Sequence, residues 1–192
     1  MEQVEVLRTF READALLDGH FELRSGLHSD RYFQCAQALR DPAVAERLCA
    51  ALTDRLRAGL GDALPVDGVV APALGGLIVG YEVARALKTP FIFVEKNKDQ
   101  ALELRRFSIE KGTRLIIAED VVTRGGRVGE TVRIVEQNGG EVVGIAMLVD
   151  RSAGQATFDY PVFSLLQMAP EAYEPKACPL CAKGMPLTHP GS

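Results

Sequence analysis

Residues 114–126 read RLIIAEDVVTRGG. The apolar run Leu115, Ile116, Ile117 and Ala118 has the composition of a strand buried on both faces. It ends in two adjacent carboxylates, Glu119 and Asp120. Val121, Val122, Thr123 and Arg124 lead to the pair Gly125 and Gly126, and RVGETVRIVEQNG (127–139) follows with helical character. A strand–loop–helix unit aims the helix's unpaired N–H groups and the positive end of its dipole at the loop. Glycines let a phosphate approach those groups, and Thr123 adds a hydroxyl. Glu119 and Asp120 cannot hold that phosphate themselves, because like charges repel. As acceptors they suit hydroxyls, or a hydrated cation. A ligand with a phosphate and a vicinal diol a few ångströms apart satisfies both ends, which describes a ribose 5-phosphate.

Outward from this stretch the chain alternates. VDGVVAPA (66–73) reads as a strand, GGLIVGYEVARALK (75–88) as a helix and PFIFVEK (90–96) as a strand. The charged NKDQALELRRFSIEKG (97–112) reads as an exposed hairpin or mobile loop. Strands at 113–122, 141–151 and 160–168 and a helix at 127–139 complete the series. This pattern implies an α/β fold, a Rossmann-like parallel sheet flanked by helices, with ligands beyond the C-terminal strand ends. DPAVAERLCAALTDRLRAGL (41–60) is a helix capped by Asp41 with Pro42 in its first turn. Residues 3–17 carry apolar side chains at roughly helical spacing. GHFELRSGLHSDRYFQ (19–34) reads as an irregular strand or hairpin, and the Pro-rich tail from 169 as irregular.

A chain of 192 residues fits a single domain. The net charge of −4 argues against a nucleic-acid binder. No apolar run reaches the roughly 18 residues of a membrane span. The N-terminus lacks the cationic start and apolar core of a signal peptide. A cytoplasmic location is therefore expected, with Cys35, Cys49, Cys178 and Cys181 reduced. Neither G-x-G-x-x-G nor a GK[ST] phosphate loop is present.

IIAEDVVTRGG resembles the signature of the type I phosphoribosyltransferases. FELRSGLHSDRYFQ, APALGGLIVGYEVARAL, FVEK, LRRFSIEKGTRLIIAEDVVTRGG and LVDRSAG occur in the order expected of the orotate-using members, and CPLCAKGMPLTHPGS is similar to the C-terminal end of one bacterial branch. The resemblance implies transfer of a phosphoribosyl group from phosphoribosyl pyrophosphate (PRPP) to orotate, with Mg2+. It implies one phosphoribosyltransferase domain over 1–192: a core of about 41–168, and a small N-terminal hood, 1–40, with part of the tail. A mobile catalytic loop reaching the neighbouring subunit implies a homodimer with shared sites.

On this reading Glu119 and Asp120 hold the ribose hydroxyls and, directly or through water, Mg2+. Val121, Val122, Thr123, Arg124, Gly125, Gly126 and Arg127 form the 5′-phosphate loop. Gly75 and Gly76 make the pyrophosphate turn. Lys96 and Lys98 neutralise the departing pyrophosphate, with Arg105 and Arg106 behind them. Arg151 pairs with the orotate carboxylate, and Arg24 faces the pyrimidine or the phosphates. The chain departs from the family pattern at Arg124 and Arg127, where Thr and Ser are common, at Leu74, where Lys is common, and at Glu95, where Arg is common. A transferase for another base, such as a purine, and a non-catalytic PRPP sensor are the rival readings.

Cys178-x-x-Cys181 is half a zinc site. His189 lies near, but a fourth ligand is not evident, so a local turn or a plain pair of thiols is expected. His20 and His28 are expected to be hydrogen-bonding histidines, and Phe91, Phe93 and Phe107 core residues.

Overall fold

The computed structural model describes residues 1–23, 25–61, 66–169 and 171–190. Helix α1 (Gln3–Glu12) is shorter than the expected 3–17. Asp14 turns into the left-handed region at φ 53, and Ala15 N–H closes onto Phe10 C=O at 2.8 Å. Leu16 and Leu17 therefore open a strand. That strand, β1 (Leu16–Glu22), pairs antiparallel with β2 (His28–Phe33). A short helix α2 (Cys35–Leu39) follows. Asp41 then caps α3 (Pro42–Leu60), its Oδ1 accepting from Ala43 N at 2.9 Å. Buried Ala45, Leu48, Cys49, Leu52 and Leu56 form one stripe along α3.

The remaining elements are β3 (Gly68–Pro72), α4 (Gly76–Leu87), β4 (Phe91–Lys96), β5 (Leu102–Glu103), β6 (Arg114–Val122), α5 (Gly126–Gln137), β7 (Glu141–Asp150) and β8 (Val162–Gln167). They form a six-stranded sheet in the order β5-β4-β3-β6-β7-β8, parallel except for β5, which folds back antiparallel on β4 as the expected hairpin. Alternation along β6 splits the core. Ile116 and Ala118 join the cluster beneath α1, α3 and α4. Leu115 and Ile117 join the cluster beneath α5, with Val128 and Val135. Full burial of an isoleucine contributes roughly 1.5–3 kcal/mol, so the strand that carries the acids is among the most firmly seated.

At the base of β6 a clasp ties it to the chain entering β3. Asp67 accepts from the backbone N of Arg114 at 2.9 Å and from Nε at 3.0 Å and Nη2 at 3.2 Å. Asp67 N–H returns a bond to Arg114 C=O at 2.8 Å.

The tail is more ordered than its composition suggests. It holds β9 (Ala172–Tyr173), a 3-10 turn at Pro175–Ala177 and α6 (Pro179–Ala182). β9 adds to β2, making a three-stranded sheet of the chain's two ends, β1-β2-β9. Thr188 extends this by bridging to Phe21.

Candidate active site

From β3 the chain crosses through α4 to β4 on one side, then returns to β6 on the other. The strand order thus reverses between β3 and β6. Chains that leave in opposite directions open a crevice at such a point. A cavity of about 620 Å³ lies there, lined by Pro72 and Ala73 from β3 and its turn, Gly75, the run 119–128, and Glu130. It takes in Glu119, Asp120, Val121, Val122, Thr123, Arg124, Gly125, Gly126 and Arg127, the stretch singled out in the sequence.

Glu119 is only 8% exposed. Its Oε1 accepts from Asp120 N at 3.1 Å, and Asp120 Oδ1 accepts from Val121 N at 2.7 Å. Burial pushes both carboxyls up, Glu119 further through the neighbouring charge of Asp120. The N–H of Val121 opposes the rise at Asp120. Two adjacent acids held out of water share a proton unless a partner compensates them. Ligand hydroxyls or a divalent cation would do so.

α4 begins against this pair. A Cβ on Gly75 would lie 2.8 Å from Asp120 Oδ1, and one on Gly76 2.9 Å from Ala118 C=O and 3.1 Å from Glu119 Oε1. The glycines are therefore required by the close approach of the acids, whatever else they contact. Across the cavity Gly125 holds φ 75 at the N-cap of α5, where a Cβ would also meet Phe158 Cζ at 2.8 Å. That left-handed turn exposes the first N–H groups of α5 to the crevice. Thr123 and Arg124 are exposed at its mouth. Arg127 spans to Glu130 at 2.9 Å and to Gln100 C=O at 3.3 Å.

Glu130 was not expected. It also accepts from Leu102 N at 2.6 Å, anchoring the β4–β5 hairpin to α5. Its only signal was its place in the first turns of a helix opening a phosphate loop.

The expected cations stand outside the cavity lining. Lys96 is exposed and donates to Gln100 Oε1 at 3.1 Å. Lys98 is exposed in the hairpin turn. Arg105 and Arg106 pair with Glu103 and Glu95, each at 3.0 Å. Arg151 also lies outside the lining, beside the strand ends. Its N–H donates to Val122 C=O at 2.8 Å, and its guanidinium sits 5.7 Å from the Phe33 ring centre. Burial disfavours the charged form of this arginine, and its buried Nε has no hydrogen-bond partner. Phe33 and Cys35, whose Sγ lies 4.0 Å from Asp120 C=O, thus bring the N-terminal segment to the acids. Sequence reasoning missed both. Arg24 lies outside the described residues. Phe91 and Phe93 are half-buried, and Phe107 packs edge-on against Phe93.

A sheet reversing over paired acids, faced by a glycine-led helix start, defines a phosphoribosyl-binding protein. The chain belongs to the phosphoribosyltransferase family: the model of the phosphoribosyl transferase domain matches residues 42–177. It is 47% identical, over its whole length and 99% of the relative's, to an orotate phosphoribosyltransferase of Heliobacterium modesticaldum. It is 46% identical over 98% of its length, and 97% of the relative's, to one of Carboxydothermus hydrogenoformans. The crystal structure of orotate phosphoribosyltransferase from Aeropyrum pernix superposes with a TM-score of 0.71 at 23% identity, over 85% of this chain and 93% of that one. No helix among the described residues is long and apolar enough to cross a membrane.

Proposed function

We propose that this chain transfers the phosphoribosyl group of PRPP to orotate, giving orotidine 5′-monophosphate and pyrophosphate in pyrimidine biosynthesis. The observation that carries the reading is the pair of buried Glu119 and half-buried Asp120 facing the start of α5 across one cavity. The near full-length relatives named for the orotate reaction point to the base.

The N1–C1′ bond forms as the bond from C1′ to the pyrophosphate oxygen breaks, through a cation-like C1′ comparable with glycoside cleavage. Orotate N1 is already acidic, so the nucleophile arrives with its substrate. Glu119 and Asp120 accept from the ribose hydroxyls. Thr123 and the amides of 124–127 hold the 5′-phosphate, while Gly75 and Gly76 leave room for the pyrophosphate. Positioning and charge, more than proton transfer, lower the barrier. Two adjacent carboxylates with no ion pair among the described residues fit Mg2+, which would bind through one or both of them together with substrate phosphates and would offset the leaving group's charge. Lys96 and Lys98, on the hairpin that Glu130 and Arg127 moor to α5, supply further positive charge when that hairpin folds inward.

Arg151 and the undescribed Arg24 belong to the base pocket. The unpartnered Nε of Arg151 supports its role, since a planar carboxylate accepts from a guanidinium fork. A single domain with a hood of N- and C-terminal strands fits the β1-β2-β9 sheet. A homodimer is supported by Leu74 in the turn before α4 and by Ile78 and Tyr81 on α4, which are 83%, 44% and 58% exposed. Four cysteines outside any disulfide suit the cytoplasm.

Orotate consumption followed by absorbance, with and without PRPP and Mg2+, tests the reading. Turnover requires both additions, and a panel of purine bases gives none. Arg151→Ala raises the KM for orotate about 10–100-fold, the worth of a charged hydrogen bond. An unchanged KM would remove Arg151 from the pocket.

A further inference from the structure

Four potential ligands that the sequence keeps far apart converge on one point outside the cavity. His20 on β1 and His28 on β2 meet Cys178 and Cys181, which flank the start of α6. One ligand atom from each lies within 4.8 Å of all the others. His20 Nε2 stands 3.0 Å from His28 Nδ1, 3.5 Å from Cys178 Sγ and 3.7 Å from Cys181 Sγ. His28 Nδ1 is 3.3 Å from Cys181 Sγ.

Hydrogen bonding does not account for this. The other nitrogen of His20, Nδ1, lies 2.9 Å from Met185 C=O, which can only accept. Nδ1 therefore carries the proton and Nε2 offers a single lone pair. One lone pair cannot serve three neighbours in three directions. A cation at their centre can.

We propose that His20 Nε2, His28 Nδ1, Cys178 Sγ and Cys181 Sγ bind one zinc ion that fastens the C-terminal tail to the N-terminal hairpin. Zn–N bonds of about 2.0–2.1 Å and Zn–S bonds of about 2.3 Å, set tetrahedrally, place nitrogens roughly 3.3 Å apart and sulfur from nitrogen roughly 3.6 Å. The four nitrogen–nitrogen and nitrogen–sulfur spacings given above lie close to those edges, and the whole set lies within 4.8 Å. Two thiolates and two neutral imidazoles favour zinc over harder ions. Their two negative charges balance the cation, so the centre is neutral where His20, His28 and Cys178 are buried. Binding requires loss of both thiol protons. The contact to Met185 fixes the tautomer and ring of His20, as an outer partner should. With four protein ligands no position remains open for a substrate, so the site is structural. It joins positions 150 to 161 residues apart. His189, the ligand nearest in sequence, stands instead against Glu22 at 3.3 Å.

The test is metal analysis of protein purified without chelator or metal-affinity resin. About one zinc per chain is expected. Cys178→Ser and His28→Ala should each cut this at least tenfold and lower Tm by roughly 10 °C, whereas His189→Ala keeps the metal. Cobalt(II) exchanged into the wild-type chain should give the intense visible bands of a tetrahedral site together with sulfur-to-cobalt charge transfer. That spectrum decides the matter if the variants fail to fold. Wild-type protein that holds less than a tenth of an equivalent and shows no cobalt bands would overturn the proposal. So would a Cys178–Cys181 disulfide as the resting state.

Discussion

The cavity and the tail cluster each gather polar side chains around buried ones, Glu119 in the first and His20 and His28 in the second, but they are assembled in opposite ways. Most of the cavity lining comes from one unbroken run, 119–128, laid out by a single strand, turn and helix. The cluster draws two residues from each end of the chain, and neither half is a site alone. Their energetics differ as well. The acids are held together at a cost to the empty protein, because burial pushes both carboxyls up and the charge of Asp120 raises Glu119 further. The cluster's ligands are neutralised by the ion proposed between them. The first region spends stability on function, and the second supplies it.

That contrast can be broken most sharply at the acids. Glu119→Gln with Asp120→Asn should cost at least about 10³-fold in turnover, since the groups proposed to meet the ribose and Mg2+ lose their charge together. The same change should raise Tm at pH 8 by about 4–8 °C, the equivalent of roughly 2 kcal/mol. The sign follows from the protons. A carboxyl raised on folding binds more protons in the folded than in the unfolded chain above its ordinary value, 4.5 for glutamate. Unfolding is then favoured increasingly as pH climbs. The gain in Tm should therefore shrink toward pH 4. Falling thermal stability at pH 8 would show that the pair stabilises the fold, and the contrast with the tail would be lost.

A smaller effect is expected at Gly75→Ala. Its Cβ would press on Asp120 Oδ1 at 2.8 Å. Displacing that carboxylate should lower kcat/KM for PRPP about 10–100-fold, with Tm changing by no more than a few degrees. The smallest effect belongs to the tail. Thr188→Val removes the hydroxyl bond to His20 C=O at 2.8 Å but keeps the backbone bond beside it. It should lower Tm by about 2–4 °C, the worth of one hydrogen bond, and leave zinc content unchanged. Zinc lost along with it would mean that docking of the tail, more than the ligands, controls the metal.

The same contrast explains what could be read in advance. The expected strands and helices from 66 onward fall within a residue or two of β3, α4, β4, β6, α5, β7 and β8, because each carries its own periodicity and end signals. Residues 3–17 misled, because Leu16 and Leu17 continue a helical spacing that the turn at Asp14 interrupts. The five-residue α2 is too short to show a period. Phe33, Cys35 and Glu130 reach the site only through the packing of other elements. The tail cluster was hidden for the plainest reason: Cys178-x-x-Cys181 with His189 left a fourth ligand missing, and nothing local pointed to His20 and His28, 150 or more positions upstream. Residue type and spacing reveal a site that one segment makes, and hide a site that the fold must bring together.

The Asp67–Arg114 clasp has a consequence for the opposite end of the sheet. It locks the alignment of the two strands whose far tips form the cavity rim, with Val69 beside Ile116 and Val70 beside Ile117. A slip of one position would turn every β6 side chain through the sheet, burying an acid against helix α3's side or thrusting it among the valines of the other. A partly exposed ion pair some five residues below the acids thus acts as an index mark that keeps the tips in step.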